Sequence, residues 1–348
     1  MRLRTPICDL LGIDYPIFAA GMGGVTLAPL TGVVSEAGGF GVLGATFLTP
    51  EALRQEIAAV RRITDKPFGV DVLIPNDIPP EVEHYPLPPF PSFLADLLPE
   101  VEGLPRTHPP ALTLELARAQ VEVSLEARVP VLVSALGTPE WLVQEARQVG
   151  TKVMSMAGSV RHARKLDKLG VDVIIAQGSE AGGHVGAVTT MVLVPQVVDA
   201  VRMPVLAAGG IADGRGVAAA LMLGAQGAWI GTRFIATIES STHENHKRKI
   251  LQAGENGTVV SRTYTGKPSR ILRNDYTERW KGHEDEVLPM PWQRLWVEEL
   301  VTPARAAGMV EIANFPTGQV AGGIADLPPA AEVVERLVAE AQEVLSRV

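Results

Sequence analysis

The chain is poor in cysteine, aromatic residues and positive charge. Its single cysteine, Cys8, excludes an internal disulfide and a zinc site built from cysteines, and we expect a buried thiol rather than a reactive one. The 31 basic residues are outnumbered by 39 acidic ones, which gives a net charge of −8 at pH 7. Aromatic residues make up only 5% of the chain, and no basic cluster is interleaved with them. These features argue against a nucleic-acid-binding protein.

Long apolar runs are missing as well. None of the apolar stretches approaches the roughly 20 residues that a membrane-spanning helix requires. The basic N-terminus, Met1–Arg4, is followed by Asp9 and Asp14, which interrupt the apolar core that a signal peptide would need. We therefore expect a cytoplasmic protein that does not enter a membrane. Apolar residues still make up 46% of the 348 residues, which is enough for a large buried core.

The chain does contain a regular alternation of short β-branched runs and amphipathic stretches. Eight runs are predicted strands: 16–20, 40–45, 67–73, 130–134, 151–156, 171–177, 204–208 and 226–231. Predicted helices lie at 28–37, 51–62, 139–149, 160–169, 193–201 and 214–223, with a last one at 330–346. Such alternation predicts parallel strands joined by crossover helices. Eight units favour an α/β fold of the (β/α)₈ TIM-barrel type, with an open doubly wound sheet as the alternative.

Two segments interrupt this alternation. Residues 75–110 follow the third strand and carry eleven prolines, which suppress regular structure. An insertion at that point emerges at the catalytic rim of a barrel, where it either caps the rim or forms a surface excursion. Residues 238–313 follow the eighth strand and predict a helical subdomain that serves as a lid and contacts the substrate. The barrel itself would then comprise residues 1–237 and 314–348.

Glycine-rich loops follow three of the late strands. Ala176–Gly186 places His184 among glycines at the carboxyl end of the sixth strand, where a flat ligand can approach the backbone. An imidazole there can exchange a proton with the ligand. Gly209-Gly210 and Gly231-Thr232 follow the seventh and eighth strands, the position at which barrels most often hold a phosphate. The three loops together predict a cofactor site with one acid–base residue.

Earlier parts of the chain contribute to the same rim. Gly21, Met22 and Gly23 end the first strand, so their backbone can lie along a planar ring. Asp71 closes the third strand, and we expect it to hydrogen-bond the edge of that ring. Two further residues have less specific roles. Asp213 is a predicted helix cap, and Arg233 is expected to pair either with a phosphate or with a neighbouring carboxylate.

These segments together resemble the nitronate monooxygenase (2-nitropropane dioxygenase) family and its sister group, the flavin-dependent enoyl-ACP reductase II enzymes. The resemblance covers most of the chain, through Asp14–Phe18, Thr64–Val70 and Gly318–Gly322. Its most specific blocks are Glu180–Gly186 and Ala207–Gly216, followed by Gly231–Phe234.

The resemblance implies an FMN-dependent oxidoreductase whose active-site histidine is His184. It also implies the cofactor-binding residues: Gly21, Met22 and Gly23 along the flavin, Asp71 and Gln177 at the isoalloxazine edge, Gly182 and Gly183 beside the ring, and Gly209, Gly210, Gly231 and Thr232 at the phosphate. Two positions depart from the family. Asparagine usually stands where this chain has Asp71, and a carboxylate beside the flavin would disfavour a negatively charged reduced ring. Some relatives carry a lysine where this chain has Met156.

The leading functional hypothesis is FMN-dependent oxidation of alkyl nitronates, or of nitroalkanes, with O₂ to a carbonyl compound and nitrite. A protonated His184 would hold the nitro oxygens through a charge-assisted hydrogen bond, whereas a neutral one would abstract an α-proton. The alternative is a flavin enzyme that uses NAD(P)H to reduce a quinone or an enoyl thioester. A more remote alternative is a non-catalytic barrel that binds a phosphorylated ligand. A homodimer formed through residues 238–313 is a further hypothesis.

No metal site is predicted. His243 and His246 lie about one helical turn apart, but no third ligand is in view, so a solvated helix face is favoured. Trp292 and Trp296 have similar spacing and are interpreted as packing residues rather than as a substrate box.

Overall fold

A computed structural model describes residues 3–75, 86–106, 110 and 112–347. Eight parallel strands form a closed barrel, in which the first strand pairs with both the second and the last. Its strands are β1 (Ile17–Ala19), β2 (Phe40–Gly44), β3 (Gly69–Leu73), β4 (Val131–Ala135), β5 (Lys152–Ala157), β6 (Val173–Gln177), β8 (Val205–Ala208) and β9 (Gly227–Ile230). The predicted (β/α)₈ barrel is confirmed, and the open sheet is excluded because β1 and β9 are hydrogen-bonded.

Helices cover the outside of the barrel. Those between or after its strands are α2 (Ala28–Glu36), α3 (Pro50–Ile63), α5 (Leu114–Glu126), α6 (Glu140–Val149), α7 (Val160–Leu169), α8 (Thr190–Val198), α9 (Gly214–Met222), α10 (Thr232–Ile235) and α15 (Ala330–Leu345). Helix α8 begins three residues before the predicted start at 193. The reason is that the Glu180 carboxylate accepts the Thr190 N–H at 2.9 Å and so stabilises an earlier first turn. Helix α5, capped by Thr113, was not among the predicted helices.

The interior of the barrel is filled with apolar side chains. Phe18 and Phe40 lie with ring centroids 5.4 Å apart, and Phe18 stacks on Trp229 at 6.3 Å. Helix α1 (Pro6–Leu11) belongs to the same buried cluster and includes Cys8, which is fully buried as expected. Because this end is packed, the ligand-accessible end of the barrel is the opposite rim, at the carboxyl ends of the strands.

Residues 238–313 contain helices, but also strands that the helical prediction did not include. The helices are α11 (Glu244–Leu251), α12 (Asp275–Arg279), α13 (Trp292–Trp296) and α14 (Glu298–Ala306). Strands β10 (Thr258–Ser261) and β11 (Ser269–Leu272) form an antiparallel sheet, and its third member, β7 (Gly183–His184), comes from the glycine-rich loop after β6. This sheet therefore joins the region to the carboxyl rim.

The proline-rich insertion packs against this region. Its described part includes α4 (Leu98–Val101), and Leu94, Leu97 and Val101 share a buried cluster with Trp280 and Trp296. The Trp296 indole N–H donates to the carbonyl of Pro89 at 3.0 Å, so packing is the role of that tryptophan. Residues 76–85, 107–109 and 111 lie outside the described residues. The cap and lid functions of the two insertions stay predictions.

Within the described ranges, no helix combines the length and the apolar character that a membrane-spanning segment would need.

Candidate active site

His184 lies at the carboxyl rim of the barrel and belongs to β7. Its neighbour Gly183 pairs with Arg270 of β11, and His184 itself pairs with Ser269. The side-chain amide of Gln177, the last residue of β6, donates to the backbone carbonyl of His184 at 2.6 Å. The His184 backbone is therefore fixed from both the barrel and the antiparallel sheet.

The imidazole of His184 is held in its neutral form. Burial, with a smaller contribution from Lys267, lowers its pKa to about 4. Nε2 lies 3.0 Å from the hydroxyl of Thr265, and that hydroxyl can donate to the carbonyl of Lys267 at 3.2 Å. If the hydroxyl proton is used in this way, Nε2 carries the imidazole proton and Nδ1 keeps its lone pair. The arrangement gives a neutral ring with one hydrogen-bond acceptor.

The two predicted phosphate loops lie side by side. Ala208 of β8 pairs with Trp229 of β9, so the loops that follow these strands are adjacent on the rim. Gly209 and Gly210 have φ values of +104° and +73°, in the region that favours glycine. Gly231 immediately precedes α10, whose first residue is Thr232. Adjacent glycine loops, one of them at the start of a helix, form a suitable cradle for a phosphate dianion.

Asp71 lies at the carboxyl end of β3 and is buried, with 4% of its surface exposed. Its Oδ1 has no hydrogen-bond partner among the described residues. Burial raises the pKa of this carboxyl group to about 8, so it is protonated and neutral at pH 7. The role of Asp71 at the edge of a ring stays a prediction, with a neutral carboxyl group rather than a carboxylate as the form expected at pH 7.

Gly21 makes room for the Asp71 side chain. A Cβ at position 21 would lie 2.3 Å from the Cβ of Asp71, a distance that real Cβ atoms essentially never show. Gly21 and Met22 follow β1, and Gly23 lies beside Thr46 and Phe47 of the loop after β2. Gly21 and Gly23, in the loop after β1, thus allow the parts of the rim that follow β1, β2 and β3 to approach one another.

All the residues proposed from the sequence lie at one rim. They are Gly21, Met22 and Gly23 after β1, Asp71 on β3, Gln177 on β6, Gly182, Gly183 and His184 in the following loop, Gly209 and Gly210 after β8, and Gly231 and Thr232 after β9. The unpartnered Oδ1 of Asp71 and the paired glycine loops fit a planar ring with a phosphate-bearing tail. Their individual roles toward such a ligand stay predictions.

Several other predictions have a clear outcome. Asp213 caps α9, since its Oδ1 accepts the Gly216 N–H at 3.1 Å. Arg233 pairs with a carboxylate, that of Asp326, at 2.8 Å rather than with an open anion site. The solvated helix face predicted for His246 is wrong, because its side chain is 1% exposed.

His246 is buried because Phe315 and Thr317, from a distant part of the chain, pack against it. Its ring nitrogens lie 2.9 Å from the hydroxyls of Thr242 and Thr317, and its ring packs on Phe315 at 4.6 Å. His243 only caps α11. No group of three or more metal-ligating side chains occurs among the residues described here.

Two polar residues that stabilise the rim were not found from the sequence. Thr265 contacts His184 from the β10–β11 connection, 81 positions along the chain. The Thr190 hydroxyl donates to Glu180 at 2.9 Å, which fixes the glycine-rich loop against the start of α8. Threonines carry no sequence signal for such roles, because the contacts exist only after the barrel has closed.

Similarity to known proteins extends over the whole chain. A Staphylococcus saprophyticus protein named "Probable nitronate monooxygenase" is 34% identical over 364 aligned residues, covering 100% of both chains. The structure of FabK from Thermotoga maritima matches with a TM-score of 0.81 and 35% identity, covering 99% of this chain and 98% of FabK. A nitroalkane oxidase from Streptomyces ansochromogenes matches with a TM-score of 0.86 and 33% identity, covering 98% of this chain and 99% of the oxidase.

The barrel, the glycine loops and these similarities define a flavin-dependent oxidoreductase. The sequence model described as nitronate monooxygenase matches residues 4–340. The chain belongs to the nitronate monooxygenase family. It is therefore an enzyme, and the non-catalytic barrel is set aside.

Proposed function

We propose that this enzyme binds FMN and oxidises alkyl nitronates with O₂ to a carbonyl compound and nitrite. The observation that carries the proposal is the neutral His184 at the rim of a barrel that belongs to the nitronate monooxygenase family. The similarity to a nitroalkane oxidase supports the same reaction class. FMN would supply the electron transfer, and the chain would supply binding, orientation and proton control.

The binding roles follow the order of the loops around the rim. Gly209, Gly210, Gly231 and Thr232 would hold the phosphate, Gly21, Met22 and Gly23 would line the ring, Gly182 and Gly183 would flank it, and Asp71 and Gln177 would contact its edge. Asp71 would act there as a hydrogen-bond donor, because its carboxyl group is protonated at pH 7. It would thereby replace the asparagine that the family usually has at this position, without placing a negative charge beside the ring.

The state of His184 bears on the substrate. An imidazole with a pKa of about 4 cannot hold the nitro oxygens through a charge-assisted bond at pH 7, because it carries no charge. It is also a weak base, so abstraction of an α-proton from a neutral nitroalkane would be slow. A nitronate has already lost that proton. When the Thr265 hydroxyl donates to Nε2 instead, Nδ1 carries the imidazole proton and can donate to a nitronate oxygen, so a neutral His184 favours nitronates over nitroalkanes.

A second reaction class is an NAD(P)H-dependent flavin reductase that acts on a quinone or an enoyl thioester. The observation in its favour is the match to FabK, the enoyl-ACP reductase II, at 35% identity. The net charge of −8 argues against docking of an acidic acyl carrier protein. A free thioester or a quinone is not affected by this argument.

Anaerobic mixing tests the two reactions directly. The flavin-loaded enzyme is mixed with propyl nitronate, and separately with NADH and NADPH, while the flavin absorbance is followed. We expect nitronate to bleach the flavin and the pyridine nucleotides to bleach it slowly or not at all. Fast bleaching by NADH or NADPH, with nitronate inert, would instead assign the reductase.

A further inference from the structure

Glu180 lies in the loop after β6, four residues before His184. Its carboxylate accepts the Thr190 N–H at 3.1 Å through Oε1 and at 2.9 Å through Oε2, and it accepts the Thr190 hydroxyl at 2.9 Å. A carboxylate can accept these hydrogen bonds through both oxygens, whereas an amide can accept through only one. Glu180 therefore fastens the segment that leads to His184 onto the first turn of α8.

The Thr190 hydroxyl joins this carboxylate to the first half of the proposed phosphate cradle. Its oxygen lies 3.1 Å from the carbonyl oxygen of Gly209. Gly209 also packs directly on the loop after β6, since a Cβ at that position would lie 2.8 Å from the Thr190 hydroxyl and 3.1 Å from the nitrogen of Ala181. Because the hydroxyl has a single proton to share, a shift of the Gly209 carbonyl changes the hydrogen bond that Glu180 receives.

The backbone of Glu180 is linked to the second half of the cradle. Its carbonyl accepts the Gln319 N–H at 2.8 Å, and the neighbouring Gly318 N–H donates to the Thr232 hydroxyl at 2.8 Å. A Cβ at Gly318 would lie 3.0 Å from the Glu180 carbonyl oxygen and 3.0 Å from the Thr232 hydroxyl oxygen. Glu180 is thus connected to the loop after β9 as well as to the loop after β8.

The chain between Glu180 and His184 is anchored on both sides. The Arg270 Nε–H donates to the carbonyl of Ser179 at 2.9 Å, and the backbone of Arg270 pairs with Gly183. Burial lowers the pKa of Arg270, and the nearby Glu180 carboxylate counteracts this shift, so the two charges compensate each other beside a site for an anion. Since the loop is held at both ends, a displacement of Glu180 is transmitted to His184.

We propose that Glu180 and Thr190 are positioning residues that couple occupation of the phosphate cradle to the placement of His184. The phosphate of the flavin is then required for turnover and not only for affinity, so saturating riboflavin does not replace FMN. The proposal rests on the proposed function, because it takes a flavin phosphate as the ligand of the cradle and His184 as the residue that meets the substrate.

Nuclear magnetic resonance of the histidine rings tests the coupling without flavin or turnover. The chain has seven histidines, and the ring ¹⁵N signals of His184 are assigned by their loss in His184→Gln. Inorganic phosphate is added to the flavin-free protein at constant pH, with sodium chloride as the matched salt. We expect a saturable shift of the His184 signals in the wild type and none in Thr190→Val or Glu180→Gln. Thr190→Ser keeps the hydroxyl and should restore the shift.

Calorimetry of the same samples separates positioning from binding. Thr190→Val and Glu180→Gln should still bind phosphate within about tenfold of the wild type, because the cradle glycines are unchanged. Complete loss of phosphate binding in both variants would make the two residues supports of the cradle alone. An unshifted His184 in the wild type, or equal shifts in the wild type and Thr190→Val, would equally overturn the proposal.

Exchange of the flavin gives the second measurement. Flavin-free protein is reloaded with saturating FMN or riboflavin, saturation is checked by flavin fluorescence, and kcat for propyl nitronate is measured. We expect the wild-type kcat to be about 10- to 100-fold higher with FMN, because a misplaced His184 costs a factor of this size. Thr190→Val and Glu180→Gln should bring the two kcat values to within about threefold of each other, mainly by lowering the value with FMN.

Two variants at other helix starts are the matched controls. The Thr113 hydroxyl accepts the Leu116 N–H in the first turn of α5, and the Glu56 carboxylate accepts the Ala28 N–H at the start of α2. Thr113→Val and Glu56→Gln should keep the wild-type ratio of kcat with FMN to kcat with riboflavin.

The wild type alone can refute the coupling, even if a variant fails to fold. Equal wild-type kcat values with the two saturating flavins would show that the phosphate serves affinity only. If both flavins bind but propyl nitronate bleaches neither, the proposed function fails, and the response of His184 to inorganic phosphate still decides whether the cradle and the histidine are coupled.

Discussion

The rim of this barrel and residues 238–313, called the roof here because β11 pairs with β7 at the rim, each contain a histidine with a lowered pKa, and the two histidines differ in what remains unpaired around them. The roof histidine, His246, has a threonine hydroxyl at both ring nitrogens. The rim histidine, His184, has one hydroxyl partner, and the carboxyl oxygen Oδ1 of Asp71 on the same rim has none. Burial lowers both imidazole pKa values, to about 3 for His246 and about 4 for His184.

This comparison shows that a depressed pKa does not by itself mark an active-site histidine. Desolvation depresses the pKa equally well in a packed core, where the neutral ring serves only as a hydrogen-bonding element. The informative difference is the unused hydrogen-bonding capacity, because buried polar groups of a folded chain are normally paired. Within the described residues such capacity remains at the rim, whereas the roof uses it in the hydrogen bonds around His246.

The largest expected effect separates the two histidines. His184→Ala should lower kcat/KM for propyl nitronate by about 10²- to 10⁴-fold while the unfolding midpoint stays within a few degrees of the wild type. His246→Ala should leave kcat/KM for propyl nitronate close to that of the wild type. It should lower the free energy of unfolding by about 2–4 kcal/mol, because it leaves a cavity and unpaired hydroxyls. Kinetics on flavin-saturated protein and chemical denaturation of both variants provide the measurements.

Flavin content is the control for this pair. If His184→Ala keeps full turnover with bound flavin, the proposed role of the rim histidine is wrong. If His246→Ala unfolds like the wild type, the roof histidine is not a stabilising element and the comparison loses its basis.

The sequence predicts the eight barrel strands to within two residues because parallel strands are buried on both faces. Runs such as Val173–Ile175 are therefore continuously apolar and β-branched, a signal that local sequence carries. The glycine loops were located for a related reason, since each follows such a strand directly. Both features depend on neighbours along the chain.

Contacts between distant segments could not be predicted in this way. Strand β7 has only two residues and forms by pairing with β11, about 85 positions later, so it has no periodicity of its own. Half of the residues of helix α11 are charged, which predicts exposure, yet Phe315 and Thr317 bury His246.

A second prediction concerns the unpartnered carboxyl group of the rim. In the fold Asp71 keeps its proton up to about pH 8, whereas in the unfolded chain it releases it near pH 3.8. Between these values the unfolded chain binds fewer protons, so this group makes stability fall as the pH rises, by at most about 1.4 kcal/mol per pH unit. Asp71→Asn cannot titrate, and its free energy of unfolding should fall less than that of the wild type between pH 5 and pH 8.

The difference between wild type and Asp71→Asn isolates this group, since all other titrating residues are common to both proteins. Urea denaturation at pH 5, 6.5 and 8 gives, for each of the two proteins, the slope of the free energy of unfolding against pH. Equal slopes would show that Asp71 is ionised in the fold, and the rim would then carry a negative charge at the proposed flavin site.

The smallest expected effects come from the hydroxyl partners of the two histidines. Thr317→Val leaves a buried Nε2 of His246 without a partner and should lower the free energy of unfolding by about 1–3 kcal/mol. Thr265→Val removes the partner of His184, which lies at the half-exposed rim, so stability should change by less than about 1 kcal/mol. Thr265→Val should instead affect catalysis. The kcat for propyl nitronate should fall and its pH profile should change, because the His184 ring loses the contact that fixes its tautomer. A Thr265→Ser variant keeps the hydroxyl and should restore the profile; if it does not, the threonine acts through packing, and the rim and the roof differ less than their hydrogen bonds suggest.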